Sequence, residues 1–186
     1  MSKLHVIIAS TRPGRIGLPI GLWFVERART HAKFEVTLVD LKEVNLPMYD
    51  EPQHPRFEKY EHAHTKAWSA SVRAADAFVI VTPEYNYSAP PSLMNAFDYV
   101  YNEWNYKPAA FVSYGGISGG LRAVQHAKNT VTTLKMMPIF EGVVLPFAAK
   151  SVTDGKFQGT EANDQAATAM LDELLRWAEA LKPLRA

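Results

Sequence analysis

Short apolar segments alternate along the chain with longer segments in which apolar residues recur at helical spacing. Five of the short segments are rich in β-branched and aromatic residues, which is typical of buried strands. They are residues 4–10, 34–40, 77–82, 109–114 and 138–145. The first, third and fourth are almost continuously apolar, as expected of central strands covered on both faces, whereas the second alternates and is expected nearer an edge. Strands that alternate with helices in this way predict a parallel sheet built from βαβ units.

The segments between the predicted strands have the periodicity of amphipathic helices. Ile16, Ile20 and Trp23 begin one apolar stripe, and Pro19 fits in the first turn of that helix, where a missing backbone N–H costs nothing. Residues 41–56 form the longest irregular connection and are expected to be an ordered surface loop near a site. Helices are predicted over residues 16–28, within 57–74, and over 93–101, 121–137 and 167–181.

The composition limits the class of protein. A length of 186 residues suits a single domain, 1–186, that is long enough to bury a core. Lys and Arg number 20 against 19 Asp and Glu, and the formal net charge of +1 gives no broad field for attracting nucleic acid or an acidic membrane. The chain has no cysteine, which excludes disulfides, thiolate metal sites and a cysteine nucleophile. The absence of cysteine favours the reducing cytoplasm, the balanced charge argues against nucleic-acid partners, and no apolar run approaches the length of a membrane span. We therefore expect a cytoplasmic protein without nucleic-acid or membrane partners.

Three polar segments follow the first, third and fourth predicted strands: residues 10–17, 83–91 and 113–120. In an open parallel sheet, ligands bind beyond the carboxyl ends of the strands, where the strand order reverses. The first segment, STRPGRIG, combines hydroxyls and two guanidinium groups with the amides at the start of a predicted helix. It lacks the glycine patterns of dinucleotide and triphosphate loops. The pattern therefore favours a terminal phosphate monoester as the ligand, with a solvated loop as the alternative.

The other two segments are suited to a flat heterocycle. Tyr85 and Tyr87 can pack against the faces of a ring, while Asn86 and exposed backbone can bond its polar edge. In residues 113–120, SYGGISGG, the glycines allow the backbone to approach such a ring closely. An ordinary proline- and asparagine-rich turn and a flexible glycine turn are the respective alternatives.

Together these segments resemble the NADPH-dependent FMN reductase family of the flavodoxin-like fold, which includes quinone, azo-dye and chromate reductases. STRPGR is similar to the phosphate loop of the family, PEYNYSAPPSLMNAFDYV to its flavin-ring signature and SYGGISGGLRA to its third loop. Ser92 and Met94 depart from the residues common in the family, at positions that are not expected to touch flavin. The resemblance implies an α/β three-layer sandwich, with a five-stranded parallel sheet in the order 2-1-3-4-5 and helices on both faces.

The resemblance also implies which residues bind the cofactor. Because the chemistry is carried by FMN, no catalytic side chain and no metal site are expected. NADPH or NADH would donate a hydride, and a quinone-like or other small acceptor would receive it in a ping-pong exchange, in a homodimer or homotetramer. The phosphate of FMN would be held by Ser10, Arg12, Arg15, Ile16 and Gly17, and the isoalloxazine ring would be lined by Pro83, Glu84, Tyr85, Asn86, Tyr87, Ser113, Gly115 and Gly116.

Two alternatives share the cofactor, namely a flavodoxin-type electron carrier and a non-enzymatic FMN-binding sensor. Such carriers usually have a strongly acidic docking face, and the balanced charge argues against one here. A hydrolase is a third alternative, because Gly116, Ser118 and Gly120 match the GxSxG pattern. The last histidine, His126, lies only eight residues after Ser118, however, so the order serine, acid, histidine cannot be completed.

A metal site is suggested by His62 and His64. Residues two apart on a helix point away from each other, so the spacing argues against a shared ion. We therefore expect both histidines to lie on a solvated face.

Overall fold

A central parallel sheet organises the protein, which we describe from a computed structural model that covers residues 1–185. Within this range, five parallel strands pair in the order β2-β1-β3-β4-β5. The strands are β1 (Ser2–Ile8), β2 (Phe34–Asp40), β3 (Ala77–Pro83), β4 (Pro108–Gly115) and β5 (Met137–Pro146). This confirms the predicted sheet, its order and the position of β2 at an edge.

Helices cover both faces of the sheet, as expected. Helices α1 and α6 pack on one face and share a core with alternate strand residues such as Val6 and Val79. Helices α3, α4 and α5 pack on the other face around Ile7, Ile80 and Trp104. The helices are α1 (Gly17–His31), α2 (Leu41–Val44), α3 (Ala63–Ala74), α4 (Pro91–Asp98), α5 (Leu121–Thr133) and α6 (Glu161–Leu181), and a small hairpin of β6 (Val152–Thr153) and β7 (Lys156–Phe157) precedes α6.

The central strands are buried on both sides. Every residue of β3 is buried, and so are the first seven of β4. Burying one large apolar side chain stabilises a fold by roughly 1.5–3 kcal/mol, so these strands anchor the sheet. Their carboxyl ends carry the polar segments, which are therefore held at fixed positions.

Several helix boundaries differ from the sequence pattern. Helices α4 and α5 end at Asp98 and Thr133, before the predicted ends at 101 and 137, and Met137 begins β5 instead. Two other differences have clear local reasons. Helix α3 begins at Ala63, because Glu58 has a φ of 53° and interrupts the helical path after a short 3-10 turn at Pro55–Phe57. Helix α6 begins at Glu161, ahead of its apolar stripe, because Thr160 and Asn163 form a capping box. The backbone N–H of Thr160 donates to Asn163 Oδ1 at 3.0 Å, and the N–H of Asn163 donates back to the Thr160 hydroxyl at 3.3 Å.

The geometry expected for the histidine pair was wrong. His62 precedes α3, so its ring stacks on that of His64 with 5.1 Å between the ring centroids. Both rings contact Asp50, His62 at the backbone carbonyl and His64 at the carboxylate, at 3.2 and 3.0 Å. The contacts among Asp50, His62 and His64 connect the 41–56 segment to the start of α3. Among residues 1–185, no group of three or more His, Cys, Asp or Glu side chains has the arrangement of a metal site.

In the described part of the chain, no helix combines the length and apolar character needed to cross a bilayer.

We expect Thr160→Ala to lower the free energy of unfolding by about 1 kcal/mol, because it removes an N-cap acceptor. Urea unfolding followed by circular dichroism measures the change. Thr168→Ala is the matched control, because Thr168 is exposed within the same helix and caps nothing. Equal losses in the two variants would contradict the capping role.

Candidate functional site

The three polar segments meet at the carboxyl edge of the sheet, because β3 pairs with both β1 and β4. Direct contacts join them. The N–H of Ala9 donates to Val81 O at 3.0 Å, and the hydroxyl of Ser92 donates to Ala9 O. The hydroxyl of Tyr114 donates to Ser10 Oγ at 3.0 Å. The exit of β1 is thus tied to the neighbouring strands at the point where the strand order reverses.

The first segment is packed tightly at its base. Ser10 is fully buried, and burial raises the pKa of Tyr114 to about 12, so the phenol remains a donor to Ser10. Gly17, the first residue of α1, lies over this pair. A Cβ at Gly17 would overlap both the Ser10 hydroxyl and the Tyr114 hydroxyl. Glycine at this position therefore allows α1 to start directly above the buried hydroxyls.

The two arginines of this segment have different environments. Arg15 forms a two-pronged pair with Asp40 at the end of β2, with Nη1 at 2.6 Å from Oδ1, and Nη1 also donates to Ser10 O. This pairing raises the pKa of Arg15, and only 7% of its side chain is exposed. Arg12 is exposed, and within residues 1–185 its guanidinium forms no hydrogen bond or ion pair. An anion could therefore bind to the guanidinium of Arg12, whereas Arg15 stabilises the conformation of the loop.

The start of α1 adds further donors. The helix has no side-chain cap and no acidic residue in its first turn, and its N-cap residue is Ile16. The first amides of such a helix lack intrahelical acceptors and carry the positive end of the helix dipole. Thr11 is exposed beside them and lines a cavity of about 390 Å³ together with Lys42 and Asn95. This edge can accept a negatively charged group.

The second segment forms a strained two-residue hairpin turn. The backbone groups of Tyr85 and Ser88 exchange two hydrogen bonds of 2.9 Å. Between them Asn86 and Tyr87 have φ values of 51° and 68°, the pattern of a type I′ turn. Asparagine tolerates this conformation, but for tyrosine it costs on the order of 1–2 kcal/mol. Both side chains are exposed, Tyr87 by 67%.

The third segment presents bare backbone to the same edge. Gly116 O accepts from the N–H groups of Gly119 and Phe147, both at 3.1 Å, which folds the segment into a compact turn. A Cβ at Gly116 would meet no atom within 4 Å. Open space therefore lies beside the Gly116 backbone, as a planar ligand would require.

A buried carboxylate joins the second and third segments. Glu84 accepts from the Ser118 hydroxyl at 2.8 Å and from Arg122 Nε and backbone N–H at 2.6 and 3.2 Å. Burial alone would raise the pKa of Glu84, but its hydrogen bonds to Arg122 and Ser118 hold it below the ordinary value. Ser118 thus bonds a carboxylate, whereas His126 Nδ1 lies 3.0 Å from Ser88 Oγ. The hydrolase alternative gains no support from this arrangement.

The predicted cofactor residues divide into exposed and enclosed groups. Ser113 is buried, its hydroxyl has no hydrogen-bond partner among residues 1–185, and it lines a cavity of about 440 Å³ between α5, β5 and α6. Asp40, Tyr114 and Arg122 were not predicted, because their roles depend on partners distant in the chain. Arg12, Asn86, Tyr87 and Gly116 are exposed at the edge, Arg15, Ile16, Glu84, Tyr85 and Gly115 are half-buried, and Ser10, Gly17, Pro83 and Ser113 are buried.

Comparison with known proteins identifies relatives of the chain. The sequence model of the NADPH-dependent FMN reductase family matches residues 2–150. An NAD(P)H-dependent FMN reductase of Schizosaccharomyces pombe is 41% identical over 148 residues, covering 77% of this chain and 74% of the relative. A quinone reductase of Escherichia coli is 34% identical over 110 residues, covering 54% of this chain and 57% of the relative.

The fold has solved counterparts. The flavoenzyme NAD(P)H:(acceptor) oxidoreductase FerB of Paracoccus denitrificans superposes with a TM-score of 0.73 at 22% identity, covering 97% of this chain and 98% of that one. The likeness supports the sheet order and the layered architecture described above.

We expect Gly17→Ala to destabilise the protein by about 1–3 kcal/mol, because the new methyl group overlaps the Ser10 and Tyr114 hydroxyls. Gly116→Ala is the control, since its methyl group enters open space. Urea unfolding of the ligand-free proteins measures both changes. A Gly17→Ala variant as stable as Gly116→Ala would contradict the close packing.

Proposed function

Because the chain belongs to the NADPH-dependent FMN reductase family, we propose that it is an oxidoreductase that binds FMN, accepts a hydride from NADPH or NADH and reduces quinone-like or other small acceptors. One observation carries the proposal: a guanidinium that has no partner among residues 1–185, a strained aromatic turn and an exposed glycine backbone follow strands that end at one edge of the sheet. A phosphorylated flat ring has the chemistry that these groups match.

The phosphate end of FMN fits the first segment. Arg12 and the uncapped amides of α1 supply the positive groups, while Thr11 supplies a hydroxyl. Arg15 is neutralised by Asp40 and acts by holding the loop between Ser10 and the end of β2. A phosphate monoester carries about −1.5 to −2 charges at neutral pH, so the Arg12 guanidinium and a helix terminus are suitable partners.

The ring end of FMN fits the gap between the second and third segments. We assign one side of the ring to Asn86 and Tyr87, which are exposed, and the other side to the backbone at Gly115 and Gly116, with Pro83 and Tyr85 at the base. Glu84 and Ser113 are enclosed, so we assign them no contact with the ring.

When bound, FMN supplies the redox chemistry, so the chain needs no nucleophile. The residues of the chain bind the cofactor, orient its ring and polarise the polar edge of the ring. The amides of Gly115 and Gly116 are suited to donate to the polar edge of the ring, where negative charge develops on reduction. Asn86 and Tyr87 lie at the border of the open face of the ring. The nicotinamide and the acceptor bind to this face one after the other.

We further infer a single cytoplasmic domain that self-associates as a homodimer or homotetramer. Exposed aromatic side chains near the edge strand β5 support self-association, because Phe140 is 93% and Phe147 is 51% exposed.

We expect Arg12→Ala to weaken FMN binding about 10- to 100-fold, the equivalent of roughly 1.5–3 kcal/mol for a lost charge-assisted hydrogen bond. Riboflavin, which lacks the phosphate, is expected to bind the wild type and Arg12→Ala with the same low affinity. Quenching of flavin fluorescence on titration with apoprotein measures both ligands. Arg176→Ala is the control, since Arg176 lies in α6 and is paired only with Glu173. Equal affinity of the wild type for FMN and riboflavin would refute the phosphate assignment.

We expect parallel double-reciprocal lines when NADPH is varied at several fixed quinone concentrations, because both substrates use one open face in turn. Intersecting lines would indicate that both are held together and would contradict the shared face.

Anaerobic addition of NADPH without acceptor is expected to bleach the flavin absorbance of the holoprotein. Absence of bleaching, with FMN still bound, would favour an electron carrier or a sensor over an enzyme.

A further inference from the structure

The 84–88 turn, which contains the strained pair Asn86 and Tyr87, is held from outside by helix α5. The contacts come from two residues one helical turn apart, Arg122 and His126. His126 Nδ1 lies 3.0 Å from the hydroxyl of Ser88, at the end of the turn. Arg122 contacts the turn at its start and at its tip.

Arg122 contacts the start of the turn through Glu84. Its Nε donates to Glu84 Oε1 at 2.6 Å, and its own backbone N–H donates to Oε2 at 3.2 Å. Only 6% of the Glu84 side chain is exposed. A carboxylate enclosed to this degree needs a partner of opposite charge. The ion pair therefore fixes the position of Glu84 relative to Arg122.

Arg122 contacts the tip of the turn through an aromatic ring. The guanidinium carbon lies 3.8 Å from the centroid of the Tyr87 ring, in a cation–π contact. Tyr87 is otherwise 67% exposed and has a left-handed backbone that tyrosine rarely adopts. The stack therefore stabilises a conformation that the local sequence disfavours.

We propose that Arg122 is a positioning residue for the flavin ring: by holding the Glu84 carboxylate with its edge and the Tyr87 ring with its face, it keeps the 84–88 turn in the shape that receives the ring. Arg122 itself need not touch the ring. The role requires arginine, because a planar guanidinium bonds a carboxylate in its plane while stacking on an aromatic face. A lysine ammonium is a point charge and cannot make both contacts in this geometry. The inference rests on the proposed FMN site for its function, but the restraint of the turn can be measured without flavin.

The first test uses apoprotein and no flavin. Amide hydrogen exchange in the peptide that spans residues 84–88 is expected to become about 10-fold faster in Arg122→Met and in Arg122→Lys, because the turn loses the guanidinium contacts to Glu84 and Tyr87. Gln125→Met is the control, since Gln125 is exposed on the same helix. Wild-type exchange in Arg122→Met, or rescue by Arg122→Lys, would overturn the proposal.

The second test separates ring binding from phosphate binding. Arg122→Met is expected to weaken FMN and lumiflavin, which is the ring without its phosphate chain, by the same factor of about 10. Arg12→Ala is expected to weaken FMN alone. Undiminished lumiflavin affinity in Arg122→Met would overturn the positioning role. A wild type that binds neither ligand would overturn the FMN site. In that case the hydrogen-exchange result alone would test whether Arg122 restrains the turn.

A double variant guards against loss of folding. Arg122→Met leaves the buried Glu84 carboxylate without its cation, so we include Glu84→Gln/Arg122→Met, which removes the charge as well. The double variant is expected to recover stability in urea unfolding but to keep the fast exchange and the weak ring binding. Recovery of wild-type exchange and ring binding along with stability would overturn the proposal.

Discussion

Parallel pairing of β3 with both β1 and β4 is the constraint on which the rest of the structure depends. Parallel strands end at the same edge, so the chain must leave three neighbouring strands within a small area. The apolar side chains on both faces of β3 make this arrangement rigid. Segments that are more than a hundred residues apart in sequence, at Ser10 and Tyr114, thereby come within hydrogen-bond distance.

Ion pairs then determine how the segments are shaped. Asp40 at the end of β2 forms an ion pair with Arg15, and Glu84 after β3 forms an ion pair with Arg122. Both carboxylates are largely enclosed, and a buried charge that loses its partner is strongly destabilising. Each pair therefore fixes a loop as well as neutralising a charge. Within residues 1–185 Arg12 has no such partner, so the two arginines of STRPGR have different environments.

The site combines strain with open space. Tyr87 has a disfavoured backbone conformation, and the neighbouring contacts of Glu84 and Ser88 with α5 stabilise the turn that contains it. In the third segment, a Cβ built on Gly116 would meet no atom of residues 1–185 within 4 Å. The proposed ring site uses these two features, a turn held by contacts from α5 and a glycine backbone open to solvent. A turn whose shape is already fixed loses little conformational entropy when a ligand binds, which favours the rigid planar ligand that we propose.

The sequence alone determined the architecture and indicated where a candidate site would lie. Continuous apolar runs in β3 and β4 required burial on both faces, and this in turn required a parallel sheet with ligand-binding loops at one edge. The glycine at position 17 and the polar character of STRPGR likewise marked the first segment as a candidate site. Only the tertiary structure decided which side chains are free to act. Arg12 and Arg15 are equivalent in local sequence, and they differ because Asp40, on the next strand, lies beside one of them. Arg122 acts on a turn more than thirty residues before it, a relation without any signal in local spacing. Local patterns report propensity and burial, whereas the pairing of charges depends on which elements the fold brings together.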